Sequence, residues 1–262
     1  MSRIFCIANQ KGGVGKTTTT VNLAAGLARI GQRVLVVDLD PQGNATMGSG
    51  IDKRKLALSV YDVLLESATV EEAALPAPKA GYHVLGANRE LAGAEIELVG
   101  LERRERRLRD ALRPVQALYD FVLIDCPPSL SLLTLNGLGC AHGVVVPMQC
   151  EYFALEGLSD LVNTIKQVHG NLNPELQIIG LLRVMFDARI TLQQQVSEQL
   201  KTHFGDKVFS TVIPRNVRLA EAPSYGLPGV VFDPASKGAI AFVAFAREMV
   251  QRTDAIAATA PA

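Results

Sequence analysis

Apolar runs of strand length alternate along the chain with longer segments of helical period. The runs that predict β-strands cover residues 4–8, 34–37, 121–124, 143–147, 178–185 and 208–213. They are almost continuously apolar, which is typical of parallel strands that are covered on both faces. The segments that predict α-helices lie near residues 17–29, 95–113, 154–168, 189–204 and 236–252.

This alternation predicts an α/β fold: a single doubly wound, mostly parallel sheet with helices on both faces. The length of 262 residues suits one such domain. Neither an internal repeat nor a low-complexity linker divides the chain. We therefore expect one domain over residues 1–252, followed by a disordered, alanine-rich tail over residues 253–262.

The clearest chemical motif lies between the first predicted strand and the first predicted helix, where the chain reads QKGGVGKTT. Gly12, Gly13 and Gly15 let backbone N–H groups converge on phosphate oxygens, and the helix N-terminus adds further free N–H groups. Lys16 brings a positive charge to the β- and γ-phosphates, and Thr17 offers a hydroxyl to Mg²⁺. The loop therefore predicts a nucleoside triphosphate site.

An additional lysine distinguishes this loop from the usual pattern of Gly, four residues and Gly-Lys-Ser/Thr. Gln10 stands at the position of the first glycine, and Lys11 follows it. Because Lys16 already serves the β- and γ-phosphates, a second lysine either faces solvent or brings charge to phosphates from elsewhere. Supplied to another subunit, it makes dimerisation depend on the nucleotide, since the partner's charge stabilises only a loaded site.

Three carboxylates follow predicted strands. Asp125 ends the strand at 121–124 and is a candidate oxygen ligand of Mg²⁺. Asp38 and Asp40 follow the second strand, and the carboxyl ends of parallel strands meet at one edge of the sheet. All three are therefore expected to face the glycine loop, where one of them orients the attacking water. Residues 38–44 are also rich in turn formers, so turn chemistry alone is the alternative.

The composition limits the partners and the cellular compartment that we expect for this protein. Lys and Arg number 26, as do Asp and Glu, so the net charge is zero and nucleic-acid binding needs a local patch. The four cysteines form no C-x-x-C pair, and we expect small buried thiols in a reducing compartment. No signal peptide precedes the first strand, and no uncharged apolar run approaches the ~18 residues of a membrane-spanning helix. We expect a soluble, cytoplasmic protein with no membrane partner.

Four segments resemble the ParA/MinD family of ATPases. Residues 11–18 resemble its deviant Walker A motif, 38–44 its switch I, and 125–129 its Walker B motif and switch II. Residues 213–223, which read IPRNVRLAEAP, are similar to the segment of the Soj-type chromosome-partitioning branch. The resemblance covers roughly residues 3 to 250. It implies a P-loop ATPase that uses ATP and Mg²⁺. The short segment before residue 11 departs from the larger plasmid-type relatives, which carry a helix-turn-helix region first, so we do not expect such a module here.

The resemblance also implies roles for single residues. Lys11 matches the lysine that crosses to the phosphates of the other subunit in an ATP-sandwich homodimer, and Asp40 matches a residue needed for hydrolysis. Pro214 and Asn216 match positions near the adenine. The implied catalytic residues are Lys11, Lys16 and Asp40; the implied nucleotide-binding residues are Lys11, Gly12, Gly13, Val14, Gly15, Lys16, Thr17, Thr18, Pro214 and Asn216; and the implied metal ligands are Thr17 and Asp125.

The same resemblance implies partners. Arg189 and Arg218 match arginines that bind double-stranded DNA without sequence preference, which implies a nucleoid-associated protein. A ParB-like centromere-binding protein is implied as the partner that stimulates hydrolysis. From the residues alone, a solvated surface position is the alternative for either arginine.

The densest basic run, residues 103–109, is interpreted differently. Acidic residues interleave with it, and Arg106 and Arg109 stand four residues after Glu102 and Glu105. This spacing predicts ion pairs along the surface of a helix, so we leave the run out of the DNA site.

Three other functions compete with partitioning. A MinD-like, membrane-associated positioning ATPase would need a basic amphipathic helix, yet residues 253–262 contain neither Lys nor Arg. A metal-cluster reductase would need paired cysteines. A P-loop metabolic ligase such as dethiobiotin synthetase is disfavoured by the resemblance at 38–44 and 213–223.

Overall fold

The computed structural model describes residues 2–152 and 154–259. The strands in this part of the chain are β1 Arg3–Ile7, β2 Val34–Asp38, β3 Ala74–Pro76, β4 His83–Leu85, β5 Phe121–Asp125, β6 Gly143–Met148, β7 Gln177–Phe186 and β8 Val208–Pro214. The α-helices are α1 Lys16–Arg29, α2 Asn44–Gly48, α3 Val60–Leu64, α4 Val70–Ala73, α5 Leu91–Val99, α6 Arg107–Leu112, α7 Leu132–Cys140, α8 Ala154–Asn171, α9 Thr191–Phe204, α10 Val217–Glu221, α11 Gly229–Phe232 and α12 Lys237–Thr259.

Within the described ranges the strands form one eight-stranded sheet in the order β3-β4-β2-β5-β1-β6-β7-β8. Neighbouring strands are parallel except β3 and β4, which pair antiparallel at one edge. The six strands expected from the sequence are present. The pair β3 and β4 was missed because each strand has only three residues, and Leu75 and Pro76 of β3 are exposed.

Two apolar layers cover the sheet. Along β1, Ile4 and Cys6 belong to one buried cluster, while Phe5 and Ile7 belong to the cluster on the opposite face. The first cluster includes residues of α3, α5, α6, α7, α8 and α9, whereas the second is closed by α1, α11 and α12. The doubly wound, mostly parallel sheet with helices on both faces is therefore confirmed.

The four cysteines are free and buried, as expected. They are Cys6, Cys126, Cys140 and Cys150. Burial raises the pKa of the Cys150 thiol to about 11 and raises the pKa of Cys6 and Cys140 as well. The thiols of Cys6, Cys140 and Cys150 are therefore protonated at neutral pH. All four cysteines pack as small apolar groups in one buried cluster.

The predicted helix over 95–113 is wrong. The first helix ends at Val99 and the next begins at Arg107, with turns between them. Arg103 has a φ of 55°, in the left-handed region, which ends helical continuity. The sequence did not reveal this break because apolar residues keep a helical spacing on both sides of it.

The ion pairs predicted along that helix are wrong as well. Because the chain turns between α5 and α6, the residues four apart do not lie on one helix face. Among the described residues the pairs of this run are instead Arg103–Asp110, Arg104–Glu105 and Arg107–Glu66.

The end of the chain also differs from the prediction. Helix α12 continues to Thr259, so the predicted coil over 253–262 is wrong as far as that residue. Thr253 is buried, and its hydroxyl oxygen accepts a hydrogen bond from the guanidinium of Arg3 at 2.8 Å, which ties this turn to β1. Residues 260–262 lie outside the described residues.

We expect Gly180→Ala to lower the free energy of unfolding by about 1–3 kcal/mol, because a methyl group would overpack the core between β7 and β8. A Cβ at this position would lie 2.6 Å from the ring of Phe209 and 2.8 Å from the carbonyl oxygen of Lys207. Urea unfolding measures the change. Gly170→Ala on α8 is the control, since its Cβ would meet nothing within 4 Å. Equal stability of the two variants would contradict the packing described for Gly180.

Candidate nucleotide site

The glycine loop joins β1 to α1 and presents its backbone to solvent. Gly13 and Gly15 have φ values of 73° and 77°, which glycine adopts without strain. Gly15 precedes α1 without any side-chain cap, so the first N–H groups of the helix are free to meet an anion. Gly12 is exposed above this turn, while Val14 is buried beneath it and anchors the loop to the core.

Lys16 lies across the loop. Its ammonium donates to the backbone carbonyl oxygen of Lys11 at 3.1 Å, and the residue is only 8% exposed. Burial lowers the pKa of Lys16, and the charge of Asp125 opposes that shift. The ammonium is thus held at the glycine loop, where an anion would meet a largely desolvated positive charge.

Asp125 ends β5 directly behind the loop and is 1% exposed. The hydroxyl of Thr17 donates to one carboxylate oxygen at 2.7 Å, and the hydroxyl of Thr20 donates to the other at 2.9 Å. Hydroxyl and carboxylate oxygens are the donors that Mg²⁺ prefers. The residues present therefore fit a magnesium site formed by Thr17 and Asp125.

Asp38 lies beside Asp125 in the register of β2 and β5. Its carboxylate accepts hydrogen bonds from the backbone N–H and hydroxyl of Thr46 and from the N–H of Asp40. Burial raises the pKa of Asp38 to about 6. Burial first, and then the charge of Asp38, raises the pKa of Asp125 to about 7. When ionised, the two buried carboxylates repel each other, and a cation bound between the loop and Asp125 would reduce that repulsion.

Asp40 stands at the rim of the same site, partly exposed. Its carboxylate accepts the N–H of Gln42 at 2.9 Å, and its carbonyl oxygen accepts the N–H of Gly43 at 2.8 Å. The turn chemistry considered from the sequence is thus present, and the three carboxylates do share one edge of the sheet with the glycine loop.

The side chain of Lys11 contacts a residue outside the loop that carries it. Its ammonium pairs with the carboxylate of Glu151 at 2.6 Å, and the two side chains are 49% and 48% exposed. Glu151 follows β6, and no motif in the sequence marked it. The charge of Lys11 is therefore at the surface, outside the cradle that Lys16 serves.

A cavity of about 150 Å³ lies beside the loop and collects residues from distant parts of the chain. Gly15 of the glycine loop and Thr18 of α1 line it on one side; Met185 of β7, Pro214 at the end of β8 and Asn216 just after it complete the lining. Pro214 and Asn216 are thus next to the glycine loop. No pattern in the sequence indicated Met185, whose φ of 51° is unusual for a residue other than glycine.

A second cavity of about 430 Å³ lies on the other side of Thr17 and Thr18. It lies between α2 and the segment after α10. The residues that follow these elements, Gly50 and Gly226, are in close contact. A Cβ on Gly50 would lie 2.8 Å from the carbonyl oxygen of Gly226, and one on Gly226 would lie 3.1 Å from the Cα of Gly50. Both glycines have positive φ, 85° and 64°.

Arg189 and Arg218 lie after neighbouring strands, β7 and β8, and so at the same edge of the sheet as the loop. The guanidinium of Arg189 pairs with Asp187 at 2.7 Å, and that of Arg218 pairs with Glu221 at 2.9 Å. Their side chains are 89% and 55% exposed. Both are accessible, although each is already bound to an acidic neighbour.

Among residues 2–152 and 154–259, no group of three His, Cys, Asp or Glu side chains is arranged to hold a metal. In the same ranges, every helix is too short or too polar to cross a bilayer.

The glycine loop between β1 and α1, with Asp125 behind it, defines the class: a P-loop nucleoside triphosphatase. A family profile described as "AAA domain" matches residues 2–178. The sporulation initiation inhibitor protein Soj of Bacillus subtilis is 54% identical over 95% of this chain and 98% of its own. The chromosome partitioning protein ParA of Myxococcus xanthus is 50% identical over 96% and 89%. The chain belongs to the Soj/ParA family of chromosome-partitioning ATPases.

Solved structures agree with this fold. A Mycobacterium smegmatis protein, described as a cobyrinic acid a,c-diamide synthase with bound ADP and magnesium, superposes with a TM-score of 0.86. It is 40% identical, over 97% of this chain and 96% of its own.

We expect Asp125→Asn to stabilise the nucleotide-free protein at pH 8 by at least about 1 kcal/mol. The pKa of Asp125 is about 7 in the folded protein against an ordinary 3.8. Between these values the folded state holds a proton that the unfolded chain has released, so stability falls as the pH rises. The amide removes this dependence. Urea unfolding at pH 5 and pH 8 without Mg²⁺ measures it.

The exposed Asp206→Asn is the control, and we expect it to leave the pH dependence as in the wild type. Asp125→Asn and the wild type losing equal stability between pH 5 and pH 8 would show that Asp125 is not the group responsible.

Proposed function

We propose that this partitioning ATPase works as a nucleotide-dependent dimer. It binds ATP and Mg²⁺, closes on a second copy, binds double-stranded DNA without sequence preference, and hydrolyses ATP when a ParB-like centromere-binding protein stimulates it. The observation that carries the proposal is the position of Lys11. Its ammonium lies at the surface on Glu151, while Lys16 alone occupies the cradle.

The roles within one subunit follow from the contacts. The amides of the glycine loop and Lys16 hold the phosphates, with Thr18 at the start of α1, while Pro214 and Asn216 border the adenine. Thr17 and Asp125 hold Mg²⁺, which neutralises phosphate charge when bound.

Asp40 is proposed to orient the attacking water. It is partly exposed at the rim of the site, and its backbone is fixed through its N–H on Asp38. A carboxylate that is held at the rim of the site can accept a hydrogen bond, and then a proton, from a water molecule beside the bound phosphates.

The role of Lys11 rests on a weak intramolecular bond. An ion pair between two side chains that are about half exposed contributes about 0–1 kcal/mol, so it breaks at little cost. A phosphate bound in a facing subunit offers a stronger, multiply charged acceptor. Dimerisation through Lys11 is then favoured only when that subunit carries its nucleotide.

DNA binding is proposed for the face of Arg189 and Arg218. One copy supplies few positive charges on a chain whose net charge is zero. Two copies double the patch, and phosphate contacts of this kind give affinity that falls steeply with salt. Binding to DNA would place the protein on the nucleoid. The name of the Myxococcus xanthus relative supports a role in chromosome partitioning, and a ParB-like protein is the partner proposed for that role.

A metabolic amide-forming enzyme is the competing function, because the Mycobacterium smegmatis structure carries such a name. Identity to the chromosome partitioning protein ParA of Myxococcus xanthus is higher, 50% against 40%. ATP hydrolysis stimulated by DNA and a centromere-binding protein favours partitioning, whereas ATP hydrolysis stimulated by a small carboxylic acid favours the synthase.

We expect Lys11→Ala to remain monomeric with ATP in gel filtration, whereas wild type becomes dimeric. Asp40→Ala should form a lasting dimer with ATP that stays on DNA, because its hydrolysis is blocked. Lys79→Ala, an exposed lysine elsewhere, is the control and should behave as wild type. A Lys11→Ala variant that dimerises as well as wild type would refute the role of Lys11.

We expect Arg189→Ala and Arg218→Ala each to weaken DNA binding and to reduce the slope of log K against log salt by about one for every DNA phosphate that the variant no longer neutralises. Arg54→Ala is a matched control, since the backbone N–H and guanidinium of Arg54 bond to Asp52 as those of Arg189 bond to Asp187. Filter binding with ATP at rising salt measures both quantities. An unchanged slope in Arg218→Ala would remove that residue from the DNA site.

A further inference from the structure

Thr20 makes a contact that the proposed function does not use. It lies within α1 and is fully buried. Its hydroxyl donates to the Oδ1 atom of Asp125 at 2.9 Å, while Thr17 donates to Oδ2 at 2.7 Å. Two hydroxyls from one helix therefore hold the two oxygens of a single carboxylate. Residues three apart share a helix face, so this spacing was the available signal in the sequence.

The two threonines differ in what else they can reach. Thr17 is partly exposed at the glycine loop, where a cation would lie, whereas Thr20 is sealed inside the protein behind Asp125. The terminal torsion of an aspartate is broad and two-fold, so one hydrogen bond leaves the carboxylate free to rotate. A second bond to the opposite oxygen removes that freedom.

We propose that Thr20 is a positioning residue for the metal site. It holds Oδ1 of Asp125 so that Oδ2 stays directed at Thr17 and at the Mg²⁺ that accompanies the nucleotide. This inference rests on the proposed function. Thr20 contacts neither the metal nor the nucleotide, but it sets the affinity for the metal by orienting the metal ligand Asp125.

A purely local role is the alternative. The hydroxyl of Thr20 also lies 3.1 Å from the carbonyl oxygen of Lys16, one turn earlier in α1. It has one proton to donate, and an ionised carboxylate is a stronger acceptor than a peptide carbonyl. The shorter distance to Asp125 agrees with donation to the carboxylate.

The neighbouring Thr19 supplies a matched control. It is as buried as Thr20, but within the described residues its hydroxyl has no hydrogen-bond partner. Thr19 also lines the cavity with Pro214 and Asn216. A change there alters nucleotide affinity with and without Mg²⁺ equally, and so cancels in the ratio of the two.

The experiment measures binding of a fluorescent ADP analogue to the full chain in Mg²⁺ and in EDTA. We expect Thr20→Val, which keeps the shape and removes the hydroxyl, to lower the ratio of the two affinities by roughly ten-fold. Affinity in EDTA should stay within about two-fold, because Thr20 does not touch the nucleotide. Thr20→Ser should restore the wild-type ratio, and Thr19→Val should keep it. If Thr20→Val fails to fold, Thr20→Ala takes its place beside Thr20→Ser.

Three results would overturn the inference. The first is a wild-type ratio in Thr20→Val. The second is an equal loss of affinity in Mg²⁺ and EDTA, which indicates a structural role. The third is a ratio lowered as far by Thr20→Ser. A wild-type protein whose affinity for the ADP analogue does not depend on Mg²⁺ would instead overturn the magnesium site itself, and with it the proposed function.

Discussion

The carboxylate of Asp125 is the group on which the arrangement of the site depends. It ends a central strand that pairs with β1 on one side and β2 on the other, so Ile7 and Asp38 are its direct neighbours in the sheet. A buried negative charge at this point requires donors. The first turn of α1 supplies two hydroxyls. The glycine loop, α1 and the turn after Asp38 therefore all lie beside the carboxylate of Asp125. A cation bound there would neutralise the negative charge of Asp125 and Asp38.

The parts of this site that could be predicted are those that local sequence determines. The glycine loop is encoded by adjacent residues, and its place between strand and helix follows from the apolar pattern. The convergence of Asp38 and Asp125 follows from strand direction alone. In contrast, the pairing of Lys11 with Glu151 depends on where the chain turns after β6, which no spacing reveals. The break at Arg103 was missed because the residues on both sides keep a helical period.

Three exposed basic side chains that are proposed to bind phosphates share one condition. Lys11, Arg189 and Arg218 each bind an acidic residue of the same chain. A protein with equal numbers of acidic and basic residues has no general attraction for anions. At these three positions the acidic partner also reduces the local attraction of the basic side chain for an anion. A phosphate that bound at one of these three side chains would have to compete with that internal partner, which favours acceptors stronger than a single carboxylate.

The contact between Gly50 and Gly226 limits how this protein can diverge. Each glycine occupies the space that a side chain on the other would need, and both have backbone angles that other residues adopt with strain. A substitution at one position has no compensating substitution at the other, because the obstacle is backbone rather than side chain. A side chain at Gly50 would force the backbone of Gly226 to move, whereas one at Gly226 would need Gly50 to shift by a few tenths of an ångström. The two segments that it joins, one ending at Gly50 and the other at Gly226, are thus held at a backbone separation that leaves no room for a side chain at Gly50.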